Sequence, residues 1–160
     1  MYMLLPLFLE LERWVGRENA KARSAGMPTY PRCTIRVIGQ TALLEAALPL
    51  RLAATRDVDV YADYPWAVEQ KFAELLRAAG QELDPLGREA WMPKETAYTT
   101  LHDGTWVLGR IAEPDFVLIA KALKAPEKNR PLLLQYLAEG PSDRFLRLAA
   151  KYKVDLEQFL

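Results

Sequence analysis

The run "DVDVYA", Asp57 to Ala62, constrains this chain more than any other stretch. Acid and apolar residues alternate with period two, the pattern of a strand with two unlike faces. Residues i and i+2 of a strand project from the same face. Val58 and Val60 are therefore expected on a core, with Asp57 and Asp59 together on the opposite side. Two carboxylates held close repel each other unless a cation or water neutralises them. Oxygen ligands at this spacing suit Mg²⁺, which takes one or two carboxylates plus substrate phosphate. Such a pair could hold the metals of a phosphoryl or nucleotidyl transfer. The plainer reading is an edge face with two solvated acids.

The residues upstream add a second charge seat. "CTIRVI", Cys33 to Ile38, is β-branched and reads as a short strand ending at Gly39. "QTALLEAAL" follows at once, rich in helix formers, and stops near Pro49. A helix that opens just past a glycine turns free backbone N–H groups and its positive pole outward, a phosphate seat. Gly39, Gln40 and Thr41 are the candidate phosphate-binding residues, Thr41 through its hydroxyl. Both seats lie on adjacent strands if the intervening helix is a connector.

At 160 residues the chain fits one domain, residues 1–160, with a core of its own. We place the αβ core at about 33–125 and a helical tail at about 126–160. The first helix is expected over Leu4 to Val15, laying Leu5, Phe8, Leu9 and Leu11 or Trp14 on the core. The N-terminus lacks a basic stretch and meets Glu10 and Glu12 early, against a signal peptide, and no apolar run approaches a membrane span. Residues Gly16 to Pro31 read as a helix end and a loop. "PWAVEQKFAELLRAAG" reads as a helix from Pro65 to Gly80, and "QELDPLGREAWMP" as a loop or broken helix. Asp103-Gly104 between two β-prone runs, Thr96–Leu101 and Thr105–Ala112, signals a hairpin. Helices then open on Pro114, over "RPLLLQYLAEG", and on Ser142 as N-cap. The fold class is α+β, or three-layer α/β: a mixed sheet flanked by helices, with an N-terminal helix and a helical tail.

Lys and Arg total 21 against 21 Asp and Glu, so no global charge points to nucleic acid or an acidic membrane. One cysteine, Cys33, and one histidine, His102, exclude an internal disulfide and a Cys/His zinc site. A reducing cytoplasm is the default setting for such a chain.

The segment "IGQTALLEAALPLRLAATRDVDVYAD" resembles the opening of the nucleotidyltransferase fold, the DNA polymerase β-like superfamily. There a glycine-led turn and helix precede a strand bearing D-x-D. It is most similar to the small prokaryotic nucleotidyltransferase-like proteins associated with toxin–antitoxin systems. Gly39, Ala42-Leu43, Arg51 and "TRDVDV", Thr55 to Val60, stand in that order. "PDFVLIAKALKAPEKNRPLL", Pro114 to Leu133, resembles the relatives' later helix, with Lys121 in the lysine position. The resemblance covers roughly residues 35 to 137. It implies transfer of a nucleoside monophosphate from a nucleoside triphosphate to an acceptor hydroxyl, on a partner protein side chain or a nucleic acid such as tRNA. It implies that Asp57 and Asp59 bind Mg²⁺, Gly39 and the following backbone hold the triphosphate, and Lys121 neutralises phosphate. The chain departs from the pattern in three places, one being the basic turn, which reads Lys128-Asn129-Arg130-Pro131 where the relatives often have Lys-Asp and a further acid. The turn is Gly39-Gln40 rather than Gly-Gly or Gly-Ser. The third carboxylate of the family has no place inside either hairpin strand; Glu95, Asp103 and Glu113 lie at their edges.

Two other readings remain. One is a catalytically degenerate relative that acts by binding a partner, as half of a toxin–antitoxin pair. The other is a Mg²⁺-dependent phosphohydrolase on another α/β scaffold, for which no nucleophile can be located. Among further side chains, His102 is expected exposed beside its turn, and no G-x-S-x-G supports a triad. Cys33 is expected to be a buried thiol. Tyr61, Tyr64 and Trp66 either stack on a base or pack. Arg36, Arg51 and Arg56 lie near the acids in sequence. Phe145, Leu146 and Leu148 are expected to cap the core.

Overall fold

Helix α1 runs from Leu4 to Ser24, nine residues beyond the expected end. This computed structural model describes residues 3–160; Met1 and Tyr2, the start of the apolar N-terminal run, lie outside the described residues. The helix extends because "RENAKARS" is made of good helix formers. Gly16 does not stop it; its Cα faces Trp106, and a Cβ there would meet the indole at 3.5 Å. The true stop is Gly26, in the left-handed conformation at φ +68. Met27 N–H donates to Ala22 O and Gly26 N–H to Arg23 O, the paired bonds of a Schellman ending. The buried stripe is Leu4, Phe8, Leu11 and Val15, spaced by three and four; Leu9, expected inward, is exposed and Leu5 only half-buried. Buried Glu45 caps the start of α1, accepting from the Met3 and Leu4 N–H groups.

The sheet is mixed, in the order β3-β2-β1-β5-β4. Strands β1 (Cys33–Ile38) and β2 (Asp57–Asp63) are antiparallel neighbours. β1 runs parallel to β5 (Val107–Ala112), and β2 parallel to the two-residue β3 (Glu82–Leu83). β4 (Tyr98–Asp103) and β5 form the expected hairpin. One face carries Cys33, Ile35 and Val37, with Val58, Val60, Val107 and Ile111 in register, all buried. Helices α1 and α3 (Trp66–Ala78) pack on this face. Phe8 stacks on Phe72, ring centroids 6.0 Å apart, and reaches the sheet at Gly109. A Cβ on Gly109 would stand 2.5 Å from the Phe8 ring, so only glycine admits that approach. Lost bulk here would be felt, since interiors are packed to crystal density.

Helices α2 (Gly39–Glu45), α4 (Pro114–Lys124), α5 (Arg130–Glu139) and α6 (Asp143–Lys151) complete the domain. The class is thus α+β, with an N-terminal helix, a five-stranded mixed sheet and C-terminal helices. Ser142 caps α6 as its sequence predicts, its hydroxyl accepting from Phe145 N–H at 3.0 Å. In that helix Phe145 and Leu148 are buried, but Leu146 faces solvent, against expectation, because it lies on the opposite side of the turn. Arg144 joins α6 to α4 through Asp115 at 2.7 Å and to Glu113 at 3.1 Å. No helix among the described residues is long and apolar enough to cross a membrane.

Candidate active site

The second face of the sheet is polar, and β2 places the acids on it. Asp57, Asp59 and Tyr61 alternate with the buried Val58 and Val60, so both aspartates do project from one face. Asp57 is exposed; Asp59 is half-buried. Register puts Asp59 opposite Ile38, the last residue of β1. The next residue, Gly39, turns the chain at φ +66. A Cβ there would stand 3.0 Å from Asp59 Oδ2. Both the left-handed turn and the close approach require glycine. The glycine corner and the paired acids are therefore in contact.

A second glycine closes on Asp59 from the other side. The short strand β3 leads through Asp84-Pro85 into a 3₁₀ turn over Gly87–Glu89. At Gly87 a Cβ would meet Asp59 Cα and Val60 N at 3.0 Å and Asp59 Oδ1 at 3.2 Å. Asp59 is thus wedged between Gly39 and Gly87. Its Oδ1 is buried and has no hydrogen-bond partner.

A third carboxylate near the pair is Asp84, on a segment outside the hairpin strands where the sequence shows no internal acid. Asp84 follows β3, which pairs with β2 in parallel, Asp57 with Glu82 and Val58 with Leu83, so Asp84 comes level with Asp59. Its N–H donates to Val58 O at 2.9 Å and its Oδ1 accepts from Leu86 N–H at 2.9 Å. The three acids named from sequence are engaged elsewhere. Glu95 binds Lys151 and Tyr152, Asp103 binds Arg32, and Glu113 binds Arg144. Asp84 escapes sequence reading because a two-residue strand has no periodicity. Its only signal is position, an acid just past the Gly80 helix stop.

Burial pushes the Asp59 carboxyl up to about 6; Asp84 adds to this through a side-chain hydrogen bond and its charge, Asp57 adds more, and Lys121 opposes it. Lys121, on α4, lies close enough to act on Asp59. Burial, then the charge of Lys128, pulls its own ammonium below the ordinary lysine value, and Asp59 pulls it back. It forms no ion pair within 4 Å among the described residues.

Beside Lys121 opens a cavity of about 390 Å³, lined by Gln40, Arg51, Thr55, Lys128 and Asn129 among others. It has three cationic side chains on its walls and no acid. Gln40 lies here, its Nε2 donating to Ala53 O at 2.8 Å. Thr41 does not present a hydroxyl to the cavity. It is buried, and its Oγ1 donates to Asp57 O at 3.3 Å, so it positions β2 instead.

The remaining candidates resolve as packing or surface. Cys33 is buried, with its thiol pushed up to about 11 chiefly by burial, so it is inert. His102 is not exposed as expected; its side chain is 12% accessible and its Nε2 meets Glu12 Oε1 at 3.0 Å. Tyr61 donates its hydroxyl to Ala90 O. Tyr64 is half-buried against the core, and Trp66 is 74% exposed. Lys124 stands over the Trp91 ring at 5.2 Å, on a different errand from Lys121. Arg130 donates to Gln158 O, fastening the tail.

The donor set around Asp59 fits a hard cation. Among the described residues no three His, Cys, Asp or Glu side chains are grouped to hold a metal by themselves. Mg²⁺ does not require that, since it binds through one or two carboxylates and fills its shell from phosphate and water. The exposed carboxylate of Asp57 and the half-buried one of Asp59 would supply the oxygens. Compared with known protein families, with curated proteins and with solved structures, the chain has no match.

Proposed function

We propose that this chain is a Mg²⁺-dependent nucleotidyltransferase, moving a nucleoside monophosphate from a nucleoside triphosphate to an acceptor hydroxyl. The observation that carries this reading is the wedge of Asp59 between Gly39 and Gly87, beside Asp57 and Asp84 and close to Lys121, which lines a cavity whose charged residues are all cationic. Acids that repel one another are retained where a cation joins them. A bound Mg²⁺ on Asp57 and Asp59 would supply Lewis acidity at the transferred phosphate.

The chain's own residues do the rest. Arg51, Lys121 and Lys128 bind the triphosphate by charge. Among the described residues Lys121 has no carboxylate within 4 Å, which leaves its ammonium for a phosphate oxygen. The Gly39-Gln40 turn brings backbone close to the anion with no side chain between. Attack of the acceptor oxygen forms a new O–P bond at the α-phosphorus and breaks the Pα–O–Pβ bond. Pyrophosphate leaves with the electron pair, and the hydroxyl proton passes to a carboxylate of the Asp59–Asp84 pair. The toxin–antitoxin setting and an acceptor on a partner protein or tRNA belong to the same proposal, through the resemblance alone.

A second reading is favoured by one observation. The Gly87 turn lies against the Asp59 backbone and covers Oδ1, as it would in a relative that binds partners without turnover. Equilibrium binding of nucleoside triphosphate with and without Mg²⁺, followed by labelled-nucleotide transfer, separates the two. Mg²⁺-dependent binding with transfer supports the enzyme. Binding without transfer to protein or RNA acceptors supports the silent relative. Binding unaffected by Asp57→Ala and Asp59→Ala defeats the metal site.

A further inference from the structure

The acid-bearing face continues past Asp59 into a row of side chains that the transfer reading leaves unused. Register aligns Tyr61 on β2 with Arg36 on β1 and Arg110 on β5, and Thr100 on β4 follows. In-register residues share a face, so two guanidiniums stand side by side on adjacent strands. Like charges directly opposite are destabilising unless something compensates. Compensation within the chain is slight. Arg36 reaches only Asp63, at 3.5 Å, and that carboxylate is 85% exposed. Arg110 has no acid within 4 Å among the described residues; it donates to Tyr98 O at 3.4 Å, and its buried Nε has no partner. Both guanidiniums lie about one ring away from Tyr98, at 6.0 and 5.9 Å. That contact is a weak attraction to the ring face. It does not satisfy the N–H donors.

The position of this row relative to the acids is as telling as its charge. Into and along β2 the order is Thr55, just before the strand and lining the cationic cavity, then Asp57 and Asp59, then Tyr61. The cavity and the arginine row therefore lie on opposite sides of the acids. Arg36 is one strand across and two residues along from Asp59, about 8 Å between Cα atoms by strand geometry. Displacement at phosphorus runs in line, with nucleophile and leaving group on opposite sides. If pyrophosphate leaves into the cavity, the acceptor enters over Arg36 and Arg110.

We propose that Arg36 and Arg110 form a seat for a phosphate group carried by the acceptor, close to its attacking hydroxyl. This rests on the transfer reading for the word acceptor, but the anion seat itself is testable without it. A phosphate offers its oxygens to the terminal N–H groups of both guanidinium forks at once. It also removes the repulsion between the two cations. The same phosphate chemistry is presented by a small sugar phosphate and by a nucleic-acid strand.

The test uses wild-type protein first. Arginine modification by phenylglyoxal is mapped by mass spectrometry with and without inorganic phosphate, ribose 5-phosphate or a 5′-phosphorylated single-stranded oligoribonucleotide. Protection of Arg36 and Arg110 together is expected, while exposed Arg13 and Arg23 continue to react. Arg36→Gln and Arg110→Gln should each weaken binding of the protecting phosphate about ten-fold or more, the scale of a lost charged hydrogen bond. Arg36→Lys should retain part of it. Protection by ribose 5-phosphate equal to that by the oligonucleotide assigns a small acceptor; much stronger protection by the oligonucleotide assigns a strand. No protection by any of the three overturns the proposal and leaves the arginines as clamps on Tyr98. Asp59→Asn serves as the separating control. It should abolish transfer while leaving protection intact, whereas absence of transfer in the wild type with intact protection sinks the enzyme and not the seat.

Discussion

Two half-buried acids, Glu12 and Asp59, sit against the same sheet and are treated in opposite ways. Glu12 projects from α1 to the β4–β5 hairpin. Its oxygens accept from Trp106 N–H at 3.0 Å and Val107 N–H at 3.0 Å, and Oε1 also meets His102 Nε2. Every contact it makes fastens the N-terminal helix to a turn about ninety residues away. Asp59 sits beside two other carboxylates, and one of its oxygens is buried with no partner. Leaving a buried acceptor unmet costs about 1–3 kcal/mol, more for a charged group. One acid is spent on architecture; the other is held at a cost that the architecture alone does not explain. On the proposed reading, that cost is offset when a cation or proton joins the cluster.

The comparison makes predictions that differ in kind. Asp59→Asn carries the largest expected effect: labelled-nucleotide transfer falls by about a thousand-fold or more, as for loss of a group acting only in the transition state. Retained transfer in that variant would place Asp59 with Glu12. For Glu12→Ala the effect moves to stability. Three partners lose their acceptor, and urea unfolding should show a loss of about 2–4 kcal/mol, with transfer per folded molecule little changed. Gly39→Ala falls between the two. Its φ +66 and the 3.0 Å approach to Asp59 Oδ2 imply a destabilisation of about 1–2 kcal/mol together with weaker nucleotide binding.

The smallest effect is the pH signature. The Asp59 carboxyl is raised in the fold, so the native state binds the proton more tightly than the unfolded chain. Its unfavourable contribution is absent below about pH 4, where both states are protonated, and grows as pH rises through about 6. Asp59→Asn should therefore melt a few degrees higher than wild type at pH 8, with the gap closing toward pH 4, as scanning calorimetry would record. Saturating Mg²⁺ and nucleotide should narrow the gap by stabilising the wild type alone. A variant less stable than wild type at every pH would mean that Asp59 is a structural acid after all.

What could be read from sequence follows the same division. Strand β1 was legible to the residue, and β2 to within one, because their β-branched and alternating patterns are local. The joint direction of Asp57 and Asp59 follows from period two alone. Lys121 is legible through the resemblance, and its place near Asp59 comes from the packing of α4 beside α2. Asp84 was missed because β3 is set by pairing with β2 and carries no pattern of its own. The length of α1 was missed because Gly16 reads as a stop until Trp106 is seen beside it. The burial of His102 is not legible locally because it depends on Glu12, ninety residues away in sequence. Arg36 and Arg110 are unremarkable in the sequence, and only the parallel pairing of β1 with β5 sets them side by side.

The order β3-β2-β1-β5-β4 leaves consecutive strands β3 and β4 on opposite margins of the sheet. Residues 84–97 must then bridge about 19 Å of strand spacing, and they do so above the acids, touching down at Gly87 on Asp59 and at Ala90 on Tyr61. That bridge is anchored on its first side by only two residues of β-pairing. A belt buckled so lightly ties entry at the carboxylates to the fraying of one short edge, so solvent exchange at the Asp84 amide should report how often the door stands open.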